Sequence, residues 1–179
     1  MGWVGALALT IERLHVAANP DAVLSCDVSP FISCKSVMLT EQASLLGFPN
    51  SLIGLAAFAV PVVIGFAVLA GAKFAKWFWL LFTLGMTGGF AFVVWLFSQS
   101  LFEIGALCPY CMVSWTGMIP MFWKQFLFST REGILPVPVK TVGFFVAAYD
   151  WHWLYTFATF GTIIGATLWR FWDLWPSLF

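Results

Sequence analysis

The chain has 179 residues, of which 61% are hydrophobic, 19% aromatic and only 9% charged. A soluble protein of this length cannot bury that much apolar surface, so the composition predicts an integral membrane protein. Eight Lys and Arg residues balance eight Asp and Glu residues, and no basic stripe follows any predicted helix. The charge pattern therefore excludes a nucleic-acid partner. Short connections between the apolar runs predict a single membrane domain over residues 1–179.

Five apolar runs along the chain predict membrane-spanning helices. An α-helix rises about 1.5 Å per residue, so about 20 apolar residues cross the roughly 30 Å of hydrocarbon in a bilayer. The predicted spans are, in chain order, residues 1–18, 51–70, 77–97, 104–123 and 153–170. The first is the least apolar, because Glu12, Arg13 and His15 interrupt it. A cleaved signal peptide is the alternative for this segment, but no basic residues precede its apolar stretch.

The basic residues predict the orientation of these spans. Most of them lie between the second and third spans or after the fourth, namely Lys73, Lys76, Lys124, Arg131 and Lys140. By contrast, loops 19–50 and 98–105 together contain only Lys35. The positive-inside rule places the first group in the cytoplasm and the two loops outside.

All four cysteines then lie at the outer face of the membrane. Cys26 and Cys34 belong to the first outer loop, and Cys108 and Cys111 belong to a Cys-Pro-Tyr-Cys segment at the outer end of the fourth span. The outer compartment of bacteria is oxidising, so disulfide chemistry is available there. Pro109 suits the first position of a helix, which leaves Cys108 at a helix N-terminus that favours a thiolate. This arrangement predicts a redox-active pair.

The four cysteines allow three other interpretations. They could be small apolar core residues or form one inert disulfide, but neither explains two pairs at one membrane face. Four cysteines could bind zinc, but His15 is predicted away from them, and we expect no metal. A non-catalytic membrane scaffold, in which disulfides only brace an outer loop, stays an open alternative.

Four motifs follow one another in a specific order. They are a loop cysteine pair with seven residues between its members, a hydroxyl residue six positions after the second cysteine, a Phe48-Pro49-Asn50-Ser51 segment before the next helix, and a later Cys-x-x-Cys. This combination, which runs from about residue 7 to residue 123, resembles the vitamin K epoxide reductase family. The DsbB family has the two cysteine pairs in the reverse order. The last helix, which ends in Arg170-Phe171-Trp172-Asp173, is similar to that of the five-span bacterial members that support disulfide formation.

The resemblance implies a fold and an activity. The fold is an all-α membrane protein, with a four-helix bundle around a quinone pocket, a fifth transmembrane helix and an extracytoplasmic loop that carries a cysteine pair. The activity is thiol–quinone oxidoreduction in the bacterial cytoplasmic (inner) membrane, with a thioredoxin-fold, DsbA-like partner as the thiol donor. The acceptor is ubiquinone or menaquinone, and reduction of a vitamin K epoxide is the alternative activity.

The resemblance also assigns roles to the cysteines. Cys108 and Cys111 match the active-site pair, with Cys111 facing the quinone and Cys108 exchanging with the loop. Cys26 and Cys34 match the shuttle pair that passes electrons from the partner to the active site. Because the shuttle pair must reach the active site, we expect the loop to move between an open and a closed position.

Three further residues match quinone-site positions of the family. Asn50 matches an amide that donates a hydrogen bond to a quinone carbonyl oxygen, and Thr40 stands where the family usually has Ser. Trp115 stands where animal members often have Tyr lining the pocket. From the residues alone, Asn50 suits a helix N-cap equally well, and Trp115 suits a packing role.

Two glycine motifs predict close contact between helices. These are Gly85-x-x-x-Gly89 and Gly161-x-x-x-Gly165. Small residues at this spacing lie on one helix face and let two backbones approach each other.

Overall fold

The computed structural model describes residues 1–29, 31–135 and 138–172. Its helices are α1 (Gly2–Ala18), α2 (Cys34–Met38), α3 (Asn50–Leu69), α4 (Lys76–Gln99), α5 (Pro109–Arg131), α6 (Val139–Asp150) and α7 (His152–Arg170). A 3-10 turn, Glu41–Ser44, precedes α3, and a π-helical turn, Ser100–Ile104, extends α4. The only β pairings within these ranges are two isolated bridges. The predicted all-α class is therefore confirmed.

Within the described residues, two helices have the length and the apolar composition needed to cross a membrane. They are Asn50–Leu69 and Lys76–Ile104, the second of which includes the π-helical turn. Large apolar side chains along them are exposed, for example Phe66 at 70% and Trp77 at 65%. A continuous exposed apolar surface is unfavourable in water and is stable against lipid. The other three spans stay predictions.

Helix boundaries differ from the predicted spans around residue 104. Residues 98–104, predicted as an outer loop, continue the helical path of α4, and α5 begins only at Pro109. The intervening apolar residues are not helical because the backbone of Leu107 pairs with the cysteine loop. Pro109 has no N–H to lose and therefore begins a helix readily. The prediction that Pro109 opens a helix is confirmed, whereas the helix start at residue 104 is not.

The segment after the fourth predicted span is largely helical, and its cytoplasmic side stays a prediction. Helix α5 continues to Arg131, and α6 then occupies residues 139–150. The predicted fifth span, residues 153–170, coincides with α7 within one residue, whereas α6 was not predicted from the sequence. Asp173, the last residue of the predicted carboxyl-terminal motif, lies outside the described residues.

The residues group into two compact units. The first unit comprises Met1–Ala75 and Gly88–Met118. Within it α1 packs against α3, and α1 approaches α5 closely at glycines. A Cβ atom added to Gly5 would lie 2.8 Å from the Tyr110 carbonyl oxygen, and one added to Gly117 would lie 2.6 Å from the Gly2 nitrogen. These two helices therefore meet backbone to backbone, which only glycine permits.

The second unit comprises Lys76–Thr87 and Ile119–Phe179. Its described part contains a buried polar cluster between α4 and α5. The hydroxyl oxygens of Thr83 and Ser129 lie 2.6 Å apart, and Gln125 Nε2 donates to both at 3.1 Å. Each buried hydroxyl thus has a partner, and such hydrogen bonds join helices in apolar surroundings.

Candidate active site

The loop between α1 and α3 carries a disulfide between Cys26 and Cys34. Cys34 is completely buried and Cys26 is 4% exposed. Ser33 fixes the second cysteine, because its Oγ accepts a hydrogen bond from the Ser36 N–H at 3.1 Å and so caps α2. Cys34 is therefore the first residue of a short helix. The loop pair expected from the sequence is present as a bonded pair.

Asp27, the residue after Cys26, organises the loop. Its Oδ1 accepts hydrogen bonds from Ser33 Oγ at 2.7 Å and from the Lys35 N–H at 3.1 Å, and its Oδ2 accepts one from the Leu24 N–H at 3.4 Å. Desolvation by itself raises the pKa of this carboxyl, but the hydrogen bonds outweigh it and hold the pKa below its ordinary value. Asp27 was not predicted as a functional residue, although its position beside a redox cysteine could have indicated one.

Backbone hydrogen bonds dock this loop on the segment that precedes α5. The Leu107 N–H donates to the Phe31 carbonyl at 2.8 Å, and the Ser33 N–H donates to the Leu107 carbonyl at 3.0 Å. The residues that follow on each side, Cys34 and Cys108, consequently face each other. Their sulfur atoms lie 3.3 Å apart. Cys34 is thus the loop cysteine within reach of the Cys-x-x-Cys pair.

Cys108 and Cys111 are free thiols. Cys108 is 2% exposed and directly precedes α5, whereas Cys111 is half-buried in its first turn. Both pack with the loop pair in one cluster, so the structure brings all four cysteines together. The other buried members of the cluster are apolar, namely Val16, Leu24 and Met38. Apolar side chains around the sulfur atoms limit the access of water and of competing thiols.

Two of the predicted quinone-site residues, Thr40 and Trp115, follow the cysteines of α2 and α5 along the chain. The Thr40 hydroxyl donates to the Val37 carbonyl at 2.8 Å, at the end of α2, and the described contacts give it no bond to sulfur. Trp115 is buried and packs edge-to-face on Phe97, with 5.4 Å between the ring centroids. It lies one helical turn after Cys111, on the same face of α5.

The Asn50 side chain forms two hydrogen bonds to the loop that precedes α3 and so braces this loop. It is the first residue of this helix, and the N-cap position belongs to Pro49. Its Nδ2 donates to the Gln42 carbonyl at 2.6 Å, and its Oδ1 accepts from the Leu45 N–H at 3.3 Å. The N-cap interpretation is therefore wrong, because the side chain reaches back into the loop. One N–H of the amide is left for another acceptor.

The comparisons with known proteins agree with this site. No curated protein and no solved structure matches the chain. A family model described as the vitamin K epoxide reductase family matches residues 1–126, which is well over half of the chain and includes both cysteine pairs. Members of this family are membrane-bound oxidoreductases that act on thiols and quinones. The resemblance is thus confirmed, and the chain belongs to the vitamin K epoxide reductase family.

Proposed function

We propose that this protein carries electrons from a thioredoxin-fold, DsbA-like partner outside the cytoplasmic membrane to a membrane quinone, and so supports disulfide formation. The observation that carries the proposal is the 3.3 Å separation of Cys34 Sγ and Cys108 Sγ. At this point a disulfide and a dithiol meet, and a disulfide can pass from one pair to the other.

The first exchange takes place at the loop. A thiolate of the partner attacks Cys26 Sγ, since Cys34 is completely buried and faces Cys108. The partner then shares a disulfide with Cys26, and Cys34 leaves as a thiolate. The second thiol of the partner displaces Cys26, which releases the oxidised partner and leaves both loop cysteines reduced.

The second exchange takes place at the mouth of α5. The Cys34 thiolate attacks Cys108 in a Cys108–Cys111 disulfide, and Cys111 leaves as a thiolate. Cys26 then displaces Cys108 from Cys34, which restores the loop disulfide and leaves two reduced thiols on α5. This is the combination of a bonded loop pair and a free Cys-x-x-Cys pair seen in the structure.

The last step uses Cys111. The thiols of Cys108 and Cys111 give two electrons and two protons to a quinone, which is ubiquinone or menaquinone. The quinone becomes a quinol, and the Cys108–Cys111 disulfide forms again. The half-buried Cys111 sulfur and the buried Trp115 ring, one turn apart on α5, fit a flat apolar headgroup. Asn50 would donate its remaining amide N–H to a carbonyl oxygen, and Thr40 would line the loop side of this region. Epoxide reduction would draw on the same thiols and is the alternative activity.

The test is quinone reduction by the purified protein in detergent with two donors. One donor is a reduced thioredoxin-fold protein, and the other is a small dithiol that reduces the Cys108–Cys111 disulfide directly. We expect Cys111→Ala to be inactive with both donors. Cys26→Ala and Cys34→Ala should fail only with the protein donor.

Met112→Ala, a truncation beside Cys111 that removes no thiol, is the matched control and should keep its activity with both donors. If wild type never reduces quinone, or if the cysteine variants turn over like wild type, the cysteines are structural. The membrane scaffold would then be the better description of the protein.

A further inference from the structure

A chain of hydrogen bonds links the cysteine loop to the helices on both sides of it. Ser25, the residue before Cys26, has its Oγ 2.5 Å from Glu12 Oε1 on α1 and 2.9 Å from the phenol oxygen of Tyr110. Tyr110 is the residue between Pro109 and Cys111. We propose that Glu12, Ser25 and Tyr110 form a latch that positions the loop disulfide for exchange with the thiol pair; the proposal rests on the relay proposed above.

The chemistry of the groups fixes the direction of these bonds. A carboxylate only accepts hydrogen bonds, so the single hydroxyl hydrogen of Ser25 is donated to Glu12. The phenol of Tyr110 must then donate to Ser25 Oγ. The bond to the carboxylate is charge-assisted, and the donated hydroxyl becomes a better acceptor for the phenol. The two bonds therefore strengthen each other, and Ser25 is the residue on which both depend.

The latch completes the fixation of the loop. Residues 31–33 are already held by the backbone pairing with Leu107, on the Cys34 side of the disulfide. Ser25 holds the other side, next to Cys26. Arg13, adjacent to Glu12, donates to the Met38 carbonyl at the end of α2, so α1 holds the loop at two points. With both ends fixed, Cys34 stays opposite Cys108.

A latch at this place must also open, because Cys26 has to meet a partner. The hydrogen bonds through Ser25 are exposed to solvent, where water can replace them at small cost. The three residues therefore act as positioning residues. They change how often Cys34 and Cys108 are aligned, while the sulfur atoms do the chemistry.

An exchange assay without quinone or partner measures this alignment directly. In a Cys26→Ala, Cys111→Ala background only Cys34 and Cys108 remain. At equilibrium with glutathione, the two thiols and one oxidised glutathione give the Cys34–Cys108 disulfide and two reduced glutathiones. The disulfide fraction, read from the mobility shift after labelling with a maleimide-polyethylene glycol, gives the effective concentration of the two thiols.

Loss of the latch should lower this effective concentration about threefold to tenfold, the ratio expected for one or two net hydrogen bonds. Ser25→Ala and Tyr110→Phe should each show the decrease. Tyr110→Phe should add nothing once Ser25→Ala is present, because Ser25 carries both bonds. Glu12→Gln keeps an acceptor oxygen and should retain most of the wild-type value, whereas Glu12→Ala should not.

Two matched controls remove a hydroxyl elsewhere. Tyr155→Phe keeps the ring that stacks on Trp123, and Ser44→Ala removes an exposed hydroxyl after α2. Neither should change the effective concentration. The latch is disproved if Ser25→Ala and the conservative Tyr110→Phe both stay at the control value, or if their effects simply add.

Turnover in the four-cysteine protein separates this proposal from the proposed function. Ser25→Ala and Tyr110→Phe should lower kcat with the protein donor and leave kcat with a small dithiol and the KM for quinone unchanged. If wild type reduces no quinone but the exchange assay shows the decrease, the relay fails and the latch stands. If wild type turns over and these variants match it with both donors, the latch alone fails.

Discussion

At the scale of single residues, the hydrogen bonds of Asp27 lead us to expect that the stability of the cysteine loop depends on pH. The pKa of its carboxyl is lower in the folded protein than in the unfolded chain, because hydrogen bonds from Lys35, Ser33 and Leu24 outweigh its desolvation. The ionised group therefore stabilises the loop at neutral pH, and this contribution is lost as the pH falls through the lowered pKa, below about 4.

We predict that acid loosens the loop through Asp27. Reduction of the Cys26–Cys34 disulfide by a water-soluble phosphine should be faster in Asp27→Asn than in wild type at neutral pH. This difference in rate should disappear as the pH falls below about 4, where Asp27 of wild type becomes protonated. The rate is measured by returning aliquots to neutral pH and labelling the released thiols with a maleimide. Asp21→Asn, in the same loop, should keep the wild-type profile; a wild-type profile for Asp27→Asn would contradict the prediction.

Asn50 has a structural role, as a hydrogen-bond partner of the preceding loop, and a predicted role in quinone binding. The two roles can be measured separately. Asn50→Ala removes the bonds to the Gln42 carbonyl and the Leu45 N–H, which should cost about 1 kcal/mol of stability. If the second amide N–H binds quinone, the KM for quinone also rises severalfold, while the KM for the thiol donor is unchanged. We expect both effects in steady-state kinetics and thermal unfolding. Lower stability with an unchanged quinone KM would leave Asn50 as a brace only.

The residues of the site differ in how far the sequence alone identifies them. The cysteines were identifiable because their chemistry and spacing form a motif, and the structure gathers all four in one cluster. Ser25 was not, because its partners Glu12 and Tyr110 lie 13 and 85 positions away. Glu12 and Arg13 made the prediction of the first span less certain from sequence, because they are charged residues in an apolar run. Their contacts with Ser25 and Met38 give both charges partners in the loop.

At the scale of helices, the close contact of α1 and α5 depends on glycine. A Cβ atom at Gly5 would lie 2.5 Å from Ser114 Oγ and 2.8 Å from the Tyr110 carbonyl oxygen. Gly5→Ala should therefore force the helices apart and destabilise the protein by about 1–3 kcal/mol. Thermal unfolding in detergent measures the change.

Gly85→Ala is the matched control for this prediction. No described atom lies within 4 Å of an added Cβ there, and alanine is the better helix former by up to about 1 kcal/mol. Gly85→Ala should be neutral or stabilising. Equal unfolding temperatures for the two variants would contradict the prediction, because they would show that α1 and α5 accommodate an added methyl group without loss of stability.

The glycine motifs show why helix contacts were hard to predict from sequence. Within the described chain, a Cβ at Gly85, Gly161 or Gly165 would meet no atom within 4 Å, and one at Gly89 would meet the flexible end of Met118. Close backbone contact occurs instead at Gly5 and at other single glycines. A Gly-x-x-x-Gly spacing identifies a smooth face on one helix, but the partner helix is chosen by tertiary packing. The two long apolar helices α3 and α4 were predictable from their apolar runs, whereas the helix ends near residue 104 depended on a loop contact.

At the scale of the whole molecule, α7 lies beyond the part that the family model matches. It has 19 residues, enough to cross about 30 Å of hydrocarbon, and no charged residue lies between His152 and Arg170. Exposed apolar side chains line it, including Phe157 at 67% and Trp169 at 73%. These properties are compatible with the predicted fifth span, whose crossing of the membrane and orientation stay predictions.

Single reporter cysteines test this topology. In a background with all four native cysteines replaced by alanine, cells are treated with a membrane-impermeant maleimide before and after lysis. We predict that Val28→Cys, in the cysteine loop, is labelled in intact cells and that Lys73→Cys is labelled only after lysis. Asp150→Cys and Trp172→Cys, at the two ends of α7, should give opposite results, with Trp172→Cys accessible from outside.

The pairs of reporters distinguish the possible errors in this prediction. Labelling of Lys73→Cys but not Val28→Cys in intact cells would invert the orientation and place the cysteines in the reducing cytoplasm, where an extracytoplasmic partner could not reach them. Labelling of Asp150→Cys and Trp172→Cys from the same side would mean that α7 does not cross the membrane. In that second case the relay through the cysteines would be unaffected, because all four lie within residues 1–126.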